Sequence, residues 1–306
     1  MSYAAIAREK AEVVERTGLL GAGDAGRSVV ARFFLGGFGT AEQRERWLPR
    51  LAAVAISEPG AGAHPKLLST RAEKDADGYR IFGEKAWVTN GPLADVFIVL
   101  AITSVEAERK RYSALLVPRD TPGLAIEEAP HYRALVPSRH CGLKLDRCQV
   151  AHSALLGEAG TAYETMALPF RDVEDAVGTF GLLSAFRFML KRLANGASDA
   201  AATLSLGRLA ALVAVFAEVA TAVVTALDAG DLPRVTDALV GLRVLAADMA
   251  QRARAHRNAY GPPNDAMIDR VFNDLDTSLS VARGPRKTRQ MRLGTKLIAD
   301  YRVLLG

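Results

Sequence analysis

Residues 55–73 read AISEPGAGAHPKLLSTRAE. A β-like run, Ala53-Val54-Ala55-Ile56, stops at Ser57-Glu58-Pro59, and Gly60, Ala61 and Gly62 follow with nothing bulky among them. Proline fixes φ and removes an N–H, while glycine tolerates positive φ and close backbone approach. The stretch is therefore either an ordinary tight loop or a place where something large lies against bare backbone.

The surrounding zone, residues 53–157, is built from short β-branched and aromatic runs: YRIFGEKAWVTNG (79–91), VFIVLAIT (96–103) and YSALLVP (112–118). Asp77-Gly78, Asn90-Gly91 and Pro122-Gly123 punctuate them as turns, and LKLDRCQVAHSALLG (143–157) adds a last alternating run. Strands at this spacing predict a compact sandwich or barrel-like domain. Upstream, residues 1–50 look helical and amphipathic. Thr40 with Gln43 three residues later is a capping-box pattern, and Trp47, Leu48 and Leu51 form the apolar face of the helix it opens. Downstream, residues 165–306 are rich in Ala and Leu. Breaks at Asn195-Gly196, Asp228 to Pro233 and Tyr260 to Asn264 predict about four long helices in an antiparallel bundle. The chain thus reads as α+β, with a short N-terminal helical segment (1–52), a central β-domain (53–160) and a C-terminal helical bundle (161–306).

The 306 residues are 49% hydrophobic and 24% charged, an ordinary globular composition. The net charge of +5 is mixed along the chain except near the end, where Arg283, Arg286, Lys287, Arg289, Arg292 and Lys296 cluster. No aromatics interleave with these residues, so the cluster reads as a solvated helix end or a site for an anionic ligand rather than a nucleic-acid surface. Cys141 and Cys148 form no C-x-x-C, and the five histidines show no metal-ligand spacing, so neither a metal nor a disulfide framework is expected. Sparse cysteine suits a reducing cytoplasm, and the first residues lack the apolar region of a signal peptide. Leu209 to Leu227 is the longest apolar run. It is Ala-rich and contains Glu218 and two Thr, so it reads as a bundle helix, not a membrane span. It also offers more apolar surface than one four-helix core needs, which predicts self-association or pairing with a homologous subunit. Gly21-Ala22-Gly23-Asp24-Ala25-Gly26 fits G-x-G-x-x-G, but a charged helical pattern precedes it instead of a strand, so it reads as a helix-breaking loop.

Taken together, Ser57-Glu58-Pro59-Gly60-Ala61-Gly62, Asp77-Gly78-Tyr79 and Gly83-Glu84-Lys85-Ala86-Trp87-Val88-Thr89-Asn90-Gly91 resemble the central domain of the acyl-CoA dehydrogenase family. The family pattern is a strand ending in Ser/Thr-Glu-Pro-Gly-Ala-Gly-Ser-Asp, continuing to Gly-x-Lys-x-Trp-Ile-Thr-Asn-Gly. The similarity extends over about residues 38–160, from GTAEQRERWLPRLA (39–52) to CGLKLDRCQVAHSALLGEAG (141–160). It implies that a flavin, FAD, lies against the opening stretch. By position, Ile56 and Ser57 would meet the polar edge of the ring, Trp87 would pack on it and Thr89 would hydrogen-bond near N5. The plain alternative is that Trp87 is a core aromatic and Thr89 an ordinary strand residue. The implied reaction is oxidation of the α,β bond of an acyl-CoA or other acyl thioester, with electrons passed to a separate acceptor.

Departures from the pattern bear on the chemistry. Where the family has Gly-Ser-Asp, this chain has Gly62-Ala63-His64, so Ala63 stands at a ligand-contacting position without a hydroxyl. Much of the family's N-terminal helical domain has no counterpart before Gly39. The Arg-x-x-Phe-Gly motif finds no match near KRLANGASDA (191–200), and the usual catalytic Glu falls at Val281-Ala282-Arg283, where no carboxylate stands. Some members carry the Glu on the first bundle helix, which makes Glu174 the candidate base. The alternative is a first-turn acid favoured by the helix dipole. Two rivals follow: a catalytically impaired subunit paired with a complete homologue, and an oxygen-using flavin enzyme on the same fold.

Overall fold

The structure is a computed structural model describing residues 1–128, 134–196, 199–261 and 264–305. Among the described residues eight α-helices and eight strands run in the order α1 (Tyr3–Thr17), α2 (Ala25–Val30), α3 (Ala41–Trp47), β1 (Ala52–Ala55), β2 (Arg71–Lys74), β3 (Gly78–Thr89), β4 (Val96–Glu106), β5 (Arg109–Pro118), β6 (Leu124–Glu128), β7 (His140–Ala151), β8 (Leu155–Leu156), α4 (Leu168–Leu193), α5 (Ala200–Asp228), α6 (Leu232–Tyr260), α7 (Ala266–Ser280) and α8 (Arg283–Leu305). The chain forms two compact units: Gly23–Glu174 with Met1, and Ser2–Ala22 with Asp175–Gly306.

In the first unit the strands make one open sheet in the order β6-β7-β3-β2-β4-β5-β8, with β1 added parallel to β4. Its core is Ile81, Phe97, Val99, Leu115, Val117, Leu143 and their neighbours. Every residue from Val96 to Ala101 is buried, as a strand covered on both faces requires. Asp77-Gly78 makes the β2–β3 turn, in which Asp75 accepts from the N–H groups of Asp77 and Gly78 at 3.0 Å. Gly78 has φ 151°, and a Cβ there would meet the Val150 carbonyl oxygen, so only glycine fits. The capping box is present: the Thr40 hydroxyl accepts from the Gln43 N–H, and the Gln43 side chain accepts from the Thr40 N–H. The Gln43 amide also donates to the Ser153 and Leu155 carbonyls at 2.8 Å, which seats α3 on the end of the sheet. Trp47 is buried there, whereas Leu48 is exposed.

The second unit is helical. α5 packs on α6 and α1, and α7 and α8 pack on α6. Asp228 at the end of α5 accepts from the N–H groups of Tyr3 and Ala4 at 2.8 and 3.0 Å, placing a negative charge at the positive end of α1. The breaks read from sequence fall between α4 and α5, α5 and α6, and α6 and α7, the last containing Pro262 and Pro263, which lie outside the described residues. A further break at Val281-Ala282 separates α8 from α7. By length and composition α5 could cross a bilayer. Its inward residues Leu209, Val213, Phe216, Val223 and Leu227 are buried, with Phe216 edge-on to Phe186 of α4. The Gly21–Gly26 stretch joins two helices, α1 and α2, with no strand before it.

Candidate functional site

The opening stretch folds back on itself. Glu58 and Gly62 exchange two backbone hydrogen bonds, 2.9 and 3.0 Å, closing a loop with Gly60 and Gly62 at φ 69° and 56°. A Cβ at either glycine would meet nothing within 4 Å. Glycine is therefore required here by backbone conformation, and the space beside it is open.

Two groups clamp this loop to β3. The Lys85 ammonium donates to the Glu58 carboxylate at 2.9 Å and to the Ile56 carbonyl at 3.1 Å. The other Glu58 lone pairs accept from the N–H and hydroxyl of Ser69 at 2.7 and 2.8 Å and from the N–H of Thr70 at 3.0 Å. The Ala86 N–H donates to the Ser57 carbonyl at 2.8 Å. The side chains of Lys85 and Glu58 are 0% and 4% exposed. Burial works against the Glu58 charge, but the Lys85 ammonium and the Thr70 and Lys85 hydrogen bonds outweigh it and hold the carboxyl at about 2. Burial pulls the Lys85 ammonium down to about 8, and Glu58 resists that. Both groups are charged at neutral pH. The far side of the loop is held by the Lys110 ammonium on the carbonyls of Lys66 and Leu68 at 2.9 and 2.7 Å, by the Tyr112 hydroxyl on Pro65, and by the Tyr163 hydroxyl on Ala63 at 3.4 Å. Burial and the Glu58 charge push the Tyr112 hydroxyl up to about 12, so it stays a donor.

Just beyond the clamp, β3 carries a bulge against β7. Lys85 pairs with Leu143 and Val88 with Cys141, so two residues on β3, Ala86 and Trp87, stand against one on β7, Gly142. The extra residue resets the alternation: Lys85 and Val88 are buried, and Trp87 and Thr89 are exposed. Trp87 takes φ 60° and is 60% exposed. A bulky residue in the left-handed region costs about 1–3 kcal/mol and persists only where its surroundings fix it. Here the Lys85–Glu58 pair fixes one side and buried Val88 the other. Trp87 is thus no core aromatic. Among the described residues the hydroxyls of Ser57 and Thr89 make no hydrogen bond.

Of the residues singled out from sequence, Ile56, Ser57 and Ala63 lie on the clamped loop, and Trp87 and Thr89 on the strand it is clamped to. Glu174 lies elsewhere, on α4, with its side chain exposed. Its neighbours differ: Asp172 is buried, and Asp175 accepts from Arg243. The sequence reading gave no role to Glu58 or Lys85. The available signal was a lysine in a strand between two positions that had to be apolar, Ile81 and Val88. Cys141 and Cys148, both buried on β7, form no disulfide.

A flat aromatic ligand with polar edges suits this surface: an exposed indole, two unengaged hydroxyls and bare glycine backbone. Residues 53–148 match the acyl-CoA dehydrogenase middle domain. Over 135 residues the chain is 33% identical to the short/branched chain specific acyl-CoA dehydrogenase of Bos taurus mitochondria, covering 42% of this chain and 31% of that protein. The chain therefore aligns with only about a third of the length of such relatives. Over 132 residues it is 35% identical to the cyclohexane-1-carbonyl-CoA dehydrogenase of Syntrophus aciditrophicus, covering 41% and 34% of the two chains. In fold, the structure of an acyl-CoA dehydrogenase from Geobacillus kaustophilus superposes with a TM-score of 0.75 at 24% identity, covering 94% of this chain and 89% of that one. From its clamped loop, its sheet and these matches, residues 53–148 form an acyl-CoA dehydrogenase middle domain, and the chain has the fold of acyl-CoA dehydrogenase structures.

Proposed function

We propose that the chain is an FAD-dependent oxidoreductase that oxidises the α,β bond of an acyl thioester such as an acyl-CoA and passes the electrons to a separate acceptor. The observation that carries this reading is the exposed Trp87, held in a left-handed bulge two residues before Thr89 and next to Ala86, whose N–H bonds the Ser57 carbonyl. The Ile56 and Ser57 carbonyls are engaged by Lys85 and Ala86, so Ser57 would bind through its hydroxyl. Trp87 would form one wall of the ring site, Thr89 would donate to a ring nitrogen, and Ala63 would line the ligand's approach with a methyl group. When bound, FAD supplies the hydride acceptor.

The chain's own chemical task is removal of the substrate α-proton. Arg243 occupies Asp175, and Asp172 is buried, so among these three acids Glu174 is the one with an exposed carboxylate, and it would take the proton. The surrounding assembly would have to exclude water from it. We assign the chain to a cytoplasmic homo- or hetero-oligomer. One observation favours a second reading, a catalytically impaired subunit: the α7–α8 corner, Val281-Ala282-Arg283, bears no carboxylate.

The test is anaerobic mixing of FAD-loaded protein with acyl-CoA thioesters, following loss of the oxidised flavin absorbance. Bleaching by wild type that Glu174→Gln slows by ~10²–10⁴ while flavin stays bound supports the reading. Bound flavin that no acyl-CoA bleaches transfers support to the impaired or oxygen-using alternatives. Equal bleaching by both proteins removes Glu174 as the base.

A further inference from the structure

The basic cluster near the C-terminus has a focus at the corner where α8 meets α6. Arg243 of α6 is 9% exposed, and its guanidinium bonds the Asp175 carboxylate and, at 3.5 Å, the Ser278 carbonyl. Its Nε is buried and has no partner among the described residues. Arg286, in the first turns of α8, donates from Nε to its own helix at Ala282, 3.4 Å away. Its other guanidinium nitrogens find no acceptor among the described residues. Burial and the neighbouring Arg243 disfavour the Arg286 cation, Asp175 partly offsets this, and Arg283 adds to it. The Arg243 and Arg283 guanidinium groups therefore both act on Arg286, with the Asp175 carboxylate, which Arg243 bonds, as the opposing charge.

Three features add cost to this corner, and a ligand would relieve two of them. No acidic residue stands in the first turn of α8, so Arg283 and Arg286 face the positive end of its dipole. The corner itself is strained: Ala282 takes φ 55°, a left-handed conformation that costs an L-residue about 1–2 kcal/mol. A buried donor without a partner is a third cost. One oxyanion beside Arg243 and Arg286 would offset all but the strain, since a guanidinium fork matches a carboxylate or phosphate group.

We propose that Arg243 and Arg286, with Arg283 at the rim, bind the carboxylate or phosphate group of a small molecule at the α6–α8 corner. The site lies wholly within the helical unit and does not rest on the function proposed above.

The test is calorimetric titration of the full chain, at constant ionic strength, with inorganic phosphate and separately with succinate. Saturable one-to-one binding of either probe is expected, and the probe that binds identifies the group. Arg286→Gln should weaken it at least about tenfold, the scale of one lost charge-assisted hydrogen bond. In chloride buffer without either probe, Arg286→Gln should keep or raise the thermal midpoint, because it relieves repulsion. Binding of neither probe overturns the proposal. So does equal affinity in Arg286→Gln, which would mean an adventitious ion only. A lowered midpoint for Arg286→Gln in chloride overturns it too, by making Arg286 a structural support.

Discussion

The Lys85 ammonium lies 2.9 Å from the Glu58 carboxylate, and the pair joins positions 27 residues apart in the chain. It explains why the two halves of the sequence pattern belong together. The Ser-Glu-Pro-Gly loop supplies the anion, the Gly-x-Lys-x-Trp strand supplies the cation, and Trp87 leaves the strand two residues later. The pair sets where the loop lies relative to the exposed indole.

Glu58→Gln should strip the buried Lys85 of its counter-charge and cost about 3–5 kcal/mol, the usual penalty for breaking one side of a buried ion pair. Lys85→Met with Glu58→Gln should recover a large part of that. Urea unfolding of the two single variants and the double variant measures the coupling. Additive losses would mean that the two side chains contribute independently.

The same pair gives the fold an acid limit. The Glu58 carboxyl is depressed in the folded chain to about 2, below its ordinary value. Its contribution is therefore fully present above the unfolded carboxylate range and is lost as pH falls through that range toward 2. Wild type should lose thermal stability over that interval more steeply than Glu58→Gln, which has no proton to bind there. Parallel pH profiles would contradict this.

Trp87→Ala should change unfolding free energy by no more than about 0.5 kcal/mol, as expected for an exposed side chain. The left-handed backbone strain stays with alanine. Flavin affinity should fall far more. Equal loss of stability and of flavin would assign Trp87 to packing.

α5 keeps Leu204 and Val215 exposed, and α8 exposes Met291, Leu293, Leu297, Ile298 and Tyr301. Apolar surface on this scale marks an association face. Light scattering at micromolar concentration should give a mass above 32.7 kDa. Leu297→Glu with Ile298→Glu should lower that mass, whereas a monomeric wild type would remove the case for self-association.

What the sequence made legible was local. Asp77-Gly78 and the Thr40–Gln43 cap act within a few residues, and so do the breaks between the long helices. The bulge at Trp87 was not legible, because period-two alternation puts residues 85, 87 and 89 on one face. Only the register against β7 shows the inserted residue. The Glu58–Lys85 pair was hidden by the general rule that charges stay outside, which fails where every lone pair is satisfied. The α7–α8 break carried a signal that went unread: Pro285 is tolerated in a first helical turn and not in a helix interior.

The central claim is that the surface around Trp87 holds a flavin, and the visible absorption spectrum of the purified chain after incubation with FAD and gel filtration tests it most directly. The account predicts a retained flavin band in wild type, lost in Trp87→Ala at unchanged stability. A wild-type protein that is folded yet retains no flavin would contradict it.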